Sequence, residues 1–234
     1  MKKIFAIFAA LIISSAALFA GDFYNGDIQF HGGLAAGKIT LNSSSDASLS
    51  QDIDYESLQF NLGAESWHLF RPTTIFGAGF MAGLNAGVGA TKSDLDLFGQ
   101  ESNAPCWSFT GNFEVGPAIG LYLIELIRIG FHFGYNVGFN YDTPYSYRSS
   151  DGDARLSLSA WSSYVGFSTG IQVKLFPESG FTPLVGWKLI KGVSDSYIIE
   201  LSSSEEMFDA GSDTVEAPYE FLQNIFYVGF SVNW

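Results

Sequence analysis

Seven ionisable side chains have the types and spacing to support chemistry in this sequence. Six lie in alternating runs, on the face that carries the small and polar residues: Glu65, Glu114, His31, His132, Lys174 and Lys188. The seventh, Arg128, lies at one end of such a run. An isolated charge enclosed by a fold is costly, so such side chains should be paired or hydrogen-bonded. We therefore predict a Glu–Lys/Arg network that includes Glu65, Glu114, Arg128, His132, Lys174 and Lys188.

Alternation with a period of two predicts the strands that position these side chains. In the clearest run, aromatic and aliphatic residues at odd positions from Ile129 to Tyr141 alternate with Gly, His and Asn at even positions from Gly130 to Asn140. No helix could use this pattern, because only a strand places alternate residues on opposite faces. Eight such runs are predicted at about 27–41, 55–70, 75–91, 107–123, 129–141, 156–176, 182–200 and 219–234. The first run loses its phase near Gly37, which predicts a bulge.

Connections between the runs alternate in length. Long polar segments follow runs one, three, five and seven, and short turns follow runs two, four and six. An even number of strands with this asymmetry is typical of a single-chain up-and-down barrel that crosses a membrane. We therefore predict an all-β, eight-stranded antiparallel barrel with the short turns in the periplasm and four long loops outside.

The first residues predict export. Lys2 and Lys3 precede an apolar run from Ile4 to Ile13 and small residues up to Ala20, the pattern of a cleaved signal peptide. We therefore divide the chain into a signal peptide, 1–20, and a barrel, 21–234. Without the two lysines the net charge is −15, from nine basic and 24 acidic residues, which excludes nucleic-acid binding through the phosphate backbone.

The bulky face could meet lipid, or it could surround a ligand as in a soluble lipocalin-like barrel. Aromatic residues are 16% of the chain, and an eight-stranded barrel has an interior only just wide enough for side chains. Lining it with the bulky face of every strand would overfill it. The small and glycine-rich face is therefore predicted to point inward. Aromatic residues near strand ends then suit the girdles at the membrane surfaces: Trp67, Trp107, Trp161, Tyr219 and Trp234.

The last residues carry a family resemblance. Tyr227, Gly229, Val232 and Trp234 occupy the four places of a polar-x-Gly-x-x-apolar-x-aromatic ending. This ending resembles the C-terminal assembly signal of bacterial outer-membrane β-barrels, and the whole chain is similar in architecture to the small OmpA/OmpX/OmpW-like barrels. The terminal residue in that family is usually Phe rather than Trp. The resemblance implies a monomer in the outer membrane, in contact with its lipid and inserted by the barrel-assembly machinery.

Two functions remain open from the sequence. As in OmpA/OmpX-like proteins, a charged network could plug the lumen of a structural or surface-interaction protein, whose acidic loops meet an extracellular partner. As in OmpW-like proteins, the barrel could instead be a narrow channel for small or hydrophobic solutes. Pro117 cannot donate to a strand ladder, so it predicts a bulge or a local break, which could provide a lateral exit.

Enzymatic activity is not predicted. Some small outer-membrane barrels are lipid acyltransferases or deacylases, with catalytic His and Ser at the extracellular end. Here His31, His68 and His132 are all predicted in the lower half of strands, and none belongs to an exposed Ser–His–acid group. No cofactor or metal site is predicted, because the acidic loop clusters match no complete calcium-loop motif.

Overall fold

The computed structural model describes residues 24–41, 53–93, 96–97, 100–123, 126–151, 155–194, 197–203, 212–215 and 219–233. The predicted signal peptide therefore lies outside the described residues. Within the described ranges, no helix is long and apolar enough to cross a membrane. The strands are β1 (Tyr24–Leu41), β2 (Ile53–Phe70), β3 (Phe76–Ser93), β4 (Asp96–Leu97), β5 (Gln100–Glu101), β6 (Trp107–Leu123), β7 (Ile127–Arg148), β8 (Arg155–Leu175), β9 (Phe181–Ser194), β10 (Tyr197–Ser203), β11 (Ser212–Val215) and β12 (Tyr219–Asn233).

Eight long strands close into a ring. Antiparallel neighbours follow the order β1-β2-β3-β6-β7-β8-β9-β12, and β12 pairs with β1 to complete the circle. The strands are staggered around the ring. A path that starts at Gln29 and moves from each residue to its partner on the next strand returns to β1 at Ile39, ten residues further along the chain. Such a stagger tilts the strands by about 40° from the barrel axis. The predicted eight-stranded up-and-down barrel is confirmed.

The two faces of each strand differ as the alternation predicts. On β7, Phe133, Tyr135 and Phe139 are each more than half exposed on the outside, whereas His132, Asn136 and Asn140 are buried inside. Every strand of the ring has exposed aliphatic or aromatic residues on its outer face. In water this apolar belt would be a large exposed patch, but in lipid it needs no cover. The barrel therefore has the surface of a transmembrane protein.

Short connections lie at one end of the barrel and longer ones at the other. Residues 71–75, 124–126 and 176–180 join strands at the first end, called here the turn end. Asn233 also lies there, because its backbone N–H bonds Gly180 O. The opposite end, called here the loop end, is where β7 and β8 extend as a hairpin and β10 pairs with β8.

Several local predictions were wrong. The register of β1 continues through Gly37 to Leu41, so the phase change marks no bulge. Instead Lys38 points outward beyond the apolar belt, where its ammonium pairs with Asp54 at 2.9 Å. The loop predicted after Tyr141 is largely strand: β7 continues to Arg148, with an irregularity between Asp142 and Tyr145.

Two aromatic residues predicted at the membrane surfaces lie inside the barrel. Trp67 and Tyr219 are almost completely buried, while Trp107 and Trp161 are exposed as predicted and Trp234 lies outside the described residues. Trp67 shares the parity of Glu65, and Tyr219 that of Tyr227, so the strand period turns both inward.

An apolar cluster lies inside the barrel. Buried side chains of β1, β8, β9 and β12 form a cluster there, including Tyr164, Ile190, Phe221, Ile225 and Tyr227. Glycines make the room that these rings need: a Cβ on Gly192 would lie 2.3 Å from the ring of Tyr164, and one on Gly138 would lie 2.5 Å from it. The buried Asp, Glu, Lys and Arg side chains that form ion pairs come from six strands of the ring, with one each on β1, β2, β6, β7, β8 and β9: Asp27, Glu65, Glu114, Arg128, Lys174 and Lys188.

Candidate functional site: the charged lumen

A lysine and two glutamates meet at the centre of the lumen. Lys188 reaches inward from β9, Glu65 from β2 and Glu114 from β6, and none exceeds 1% exposure. Lys188 Nζ donates to Glu65 Oε1 at 2.5 Å and also contacts Glu114 Oε1. We call these three residues the central cluster. The single ammonium bridges two carboxylates that would otherwise repel each other.

Neutral side chains add further donors to both carboxylates, although Glu114 Oε2 accepts no hydrogen bond from the described residues. Trp67 Nε1 donates to Glu65 Oε2 at 2.8 Å, and Asn85 Nδ2 donates to Glu114 Oε1 at 3.1 Å. Two imidazoles complete the layer: His31 Nε2 is 3.2 Å from Glu65 Oε1, and His132 Nε2 is 3.8 Å from Glu114 Oε2. With both histidines neutral, this layer carries one excess negative charge.

A second group of charges lies nearer the turn end. Asp27 Oδ2 accepts from Arg128 Nη1 at 2.5 Å and from Lys174 Nζ at 3.2 Å. Gln29 Nε2 donates to the other Asp27 oxygen at 2.7 Å, and Lys174 also donates to Asn233 Oδ1 at 2.5 Å. Asp27, Arg128 and Lys174, called here the turn-end cluster, carry one excess positive charge. The two clusters together are neutral.

The residues predicted as one network thus fall into two clusters. Glu65, Glu114, His132 and Lys188 share one layer, and Arg128 and Lys174 share the other. The Arg128 guanidinium lies over the Trp67 ring, 5.4 Å from its centroid, and connects the layers. Asp27 was not among the residues predicted to form the network. Its parity with Gln29 and His31 would have placed it on the inward face.

The residues of the C-terminal motif have different surroundings. Tyr227 lies inside the lumen, with its ring centroid 4.3 Å from that of His31. Gly229 faces the backbone of β1, and Val232 is exposed on the outer face. Trp234 lies outside the described residues. That this motif directs assembly stays a prediction.

Pro117 interrupts a strand ladder without shifting its register. β6 and β7 pair up to Val115↔Tyr135 and resume at Ala118↔His132, so the same alignment holds on both sides of the gap. The strands remain in close contact: a Cβ on Gly116 would lie 2.2 Å from Phe133 O. Pro117 therefore produces a local break in hydrogen bonding but no bulge, and the backbones beside it leave no lateral opening.

The histidines do not form an exposed catalytic group with serine and carboxylate. His31 and His132 are buried beside the central cluster, whereas His68 Nε2 lies 2.8 Å from Ser66 Oγ and its ring stacks on Phe80. Among the described residues, no group of three or more His, Cys, Asp or Glu side chains is placed to hold a metal ion. The absence of enzymatic activity stays a prediction.

No protein-family model and no curated protein matches this sequence. Among solved structures, the chain is similar to the outer membrane protease OmpT of Escherichia coli, with a TM-score of 0.47 and 11% identity over 92% of this chain and 98% of that one. It is also similar to a major outer membrane protein of Thermus thermophilus (TM-score 0.47, 11% identity, 88% and 99% covered). The outer membrane protein OprG of Pseudomonas aeruginosa gives a TM-score of 0.45 at 10% identity, with 89% and 96% covered.

The closed ring and its apolar belt settle the architecture independently of these likenesses. The fold is that of an outer-membrane β-barrel. Membrane-spanning strands must pair all their backbone groups, and a closed antiparallel ring does so without leaving an edge. The likenesses themselves say nothing about activity.

Proposed function

We propose that this protein is a bacterial outer-membrane barrel with a closed lumen, acting as a structural or surface-interaction protein. The observation that carries the proposal is the bridge from Lys188 to Glu65 and Glu114 in the middle of the barrel. These side chains join β9 to β2 and β6, so the contact crosses the lumen rather than following the wall. A barrel of this size has little room to pass solutes around it.

The proposed orientation puts the turn end in the periplasm and the loop end outside. Loop-end segments are strongly acidic: seven carboxylates and no Lys or Arg lie between Glu200 and Glu220. Such a surface would attract cationic groups and repel anionic ones. An unidentified extracellular partner, the surrounding lipid and the assembly machinery are then the partners of a monomeric barrel.

The alternative is a narrow channel for small or hydrophobic solutes that pass along the lumen, since the closed backbone beside Pro117 offers no lateral exit. Conductance across a planar lipid bilayer tests the two functions against each other. We expect the purified protein to insert without steady conductance in 1 M potassium chloride. Lys188→Ala should show cation-selective openings, because two unbridged carboxylates repel each other and attract water and cations. The outward Lys191→Ala serves as the matched control and should stay closed.

Folding of each variant is verified by a mobility shift between unboiled and boiled samples on an SDS gel. Steady conductance of the wild type would contradict the closed lumen and support the channel. A folded Lys188→Ala barrel that remains closed would show that the central cluster is not the plug.

A further inference from the structure

A directed chain of hydrogen bonds ends on one buried carboxylate near the loop end of the lumen. Gln223 Nε2 donates to Gln59 Oε1 at 2.8 Å, and Gln59 Nε2 donates to Ser108 Oγ at 2.6 Å. Ser108 then donates to Asp142 Oδ1 at 2.5 Å. Thr110 adds a further donor to Gln59 Oε1 at 2.9 Å. Because successive donors point the same way, their dipoles converge on the Asp142 carboxylate and offset part of the cost that burial imposes on its ionised form.

This carboxylate is buried and has no cationic partner among the residues that the structure describes. Asp142 is 1% exposed, and it forms no ion pair with any residue that the structure describes. An ionised carboxylate in such a place is costly unless a positive charge balances it. Asp142 therefore differs from Glu65, Glu114 and Asp27, which each have a Lys or Arg within reach.

The chain has no other Lys or Arg that could provide this charge. Beyond residue 23 it contains nine, all within the described ranges. Lys174, Lys188 and Arg128 serve the two lumen clusters, and Lys38 and Lys191 pair with acidic residues in water-exposed positions. The others are Arg71 at the turn end, the exposed Lys92, and Arg148 and Arg155, which oppose each other at the tip of the β7–β8 hairpin.

Further oxygen atoms surround Asp142 on the inward face. Asn140 lies two residues away on β7, and its amide donates to the Tyr219 hydroxyl while its Oδ1 accepts no hydrogen bond from the described residues. Ser162 on β8 pairs with Asn140 in register and is also buried. Residues two apart on a strand are about 7 Å apart, so one ion can be reached from both Asp142 and Asn140.

We propose that Asp142, Asn140 and Ser162 form a binding site for a small monovalent metal cation, sodium or potassium. Hard cations take oxygen ligands, and here a carboxylate, an amide oxygen and a hydroxyl occupy neighbouring inward positions of β7 and β8, the last two without a hydrogen-bond donor among the described residues. A single carboxylate balances a single positive charge, whereas divalent ions usually require additional acidic ligands. The ion would bind between the central cluster and the loop end of the barrel.

Thermal unfolding of the purified protein in non-ionic detergent tests the site. The midpoint is measured from the gel-mobility shift at pH 8, in sodium, potassium or choline chloride at equal ionic strength. Because choline is too large for the site, sodium or potassium should raise the wild-type midpoint by ~3–5 °C at about tenfold excess over the dissociation constant. Asp142→Asn should have the same midpoint in all three salts.

Two further variants make the result decisive. Glu56→Gln removes an exposed carboxylate from the outer face of β2 and should retain the wild-type response to sodium. Ser162→Ala should require several-fold more sodium for the same shift. Equal wild-type midpoints in all salts, or a sodium response that persists in Asp142→Asn, would overturn the proposal. A response to micromolar calcium with none to sodium would overturn the assignment to a monovalent ion.

Discussion

The central cluster and the turn-end cluster both pair buried charges in the lumen, but with opposite stoichiometry. In the central cluster one lysine serves two glutamates, whereas in the turn-end cluster one aspartate serves an arginine and a lysine. Each is enclosed in the lumen, and each is unbalanced by one charge in the opposite sense. The charges of the two clusters cancel only when both are counted.

This difference determines which residue each cluster cannot lose. Lys188 is the only Lys or Arg bound to Glu65 and Glu114 among the described residues, so its loss exposes two carboxylates to each other. Asp27 holds two cations, and either one can remain paired when the other is removed. The comparison therefore predicts unequal effects from chemically similar substitutions.

The largest effect is expected for Lys188→Met. This change keeps an unbranched apolar side chain but leaves two buried carboxylates unbridged, so it should lower the free energy of unfolding by ~3–5 kcal/mol. Equilibrium unfolding in urea, followed by Trp fluorescence in lipid vesicles, measures the loss. Adding Glu65→Gln to Lys188→Met should restore part of it, because the like-charge repulsion is then removed. A loss below ~1 kcal/mol would contradict the bridging role.

A smaller effect is expected for Lys174→Met in the turn-end cluster. Arg128 would still donate to Asp27 at 2.5 Å, and Asn233 would lose one hydrogen bond. The free energy of unfolding should fall by ~1–2 kcal/mol, the cost of a lost charged hydrogen bond rather than of an orphaned charge. The same urea experiment compares it with Lys188→Met. Equal losses in the two variants would show that the stoichiometry of the clusters does not matter.

Periodicity predicted much of this arrangement, because parity alone decides which face a strand residue occupies. Parity correctly placed Glu65, Glu114 and Lys188 inside the barrel. Trp67 and Tyr219 have inward parity too, but they were assigned to the membrane surfaces because they lie near strand ends. Parity says nothing about height along the barrel axis. The division into two clusters depends on the register of all eight strand pairs, which no single run encodes.

The hydrogen-bond chain to Asp142 was missed for a related reason. The fifth run was predicted to end at Tyr141, one residue before Asp142, because turn-forming residues follow and the lipid-facing alternation stops there. β7 nevertheless continues as part of the loop-end hairpin. Beyond the apolar belt both faces of a strand can be polar, so the alternation that identifies a membrane strand disappears although the strand does not.

The smallest change in the free energy of unfolding is expected for an ion pair at the outer surface, where water can solvate a charge that has lost its partner. Lys38 Nζ lies 2.9 Å from Asp54 Oδ2, a distance similar to those in the lumen, but both side chains are about half exposed. Lys38→Ala should change the free energy of unfolding by no more than ~0.5 kcal/mol, since solvent stabilises the remaining carboxylate. The urea experiment should therefore place Lys38→Ala next to the wild type, well apart from Lys188→Met. If Lys38→Ala lowered the free energy of unfolding by nearly as much as Lys174→Met, burial would not explain the larger contribution of the lumen ion pairs. The position of an ion pair along the barrel would then affect stability independently of its exposure.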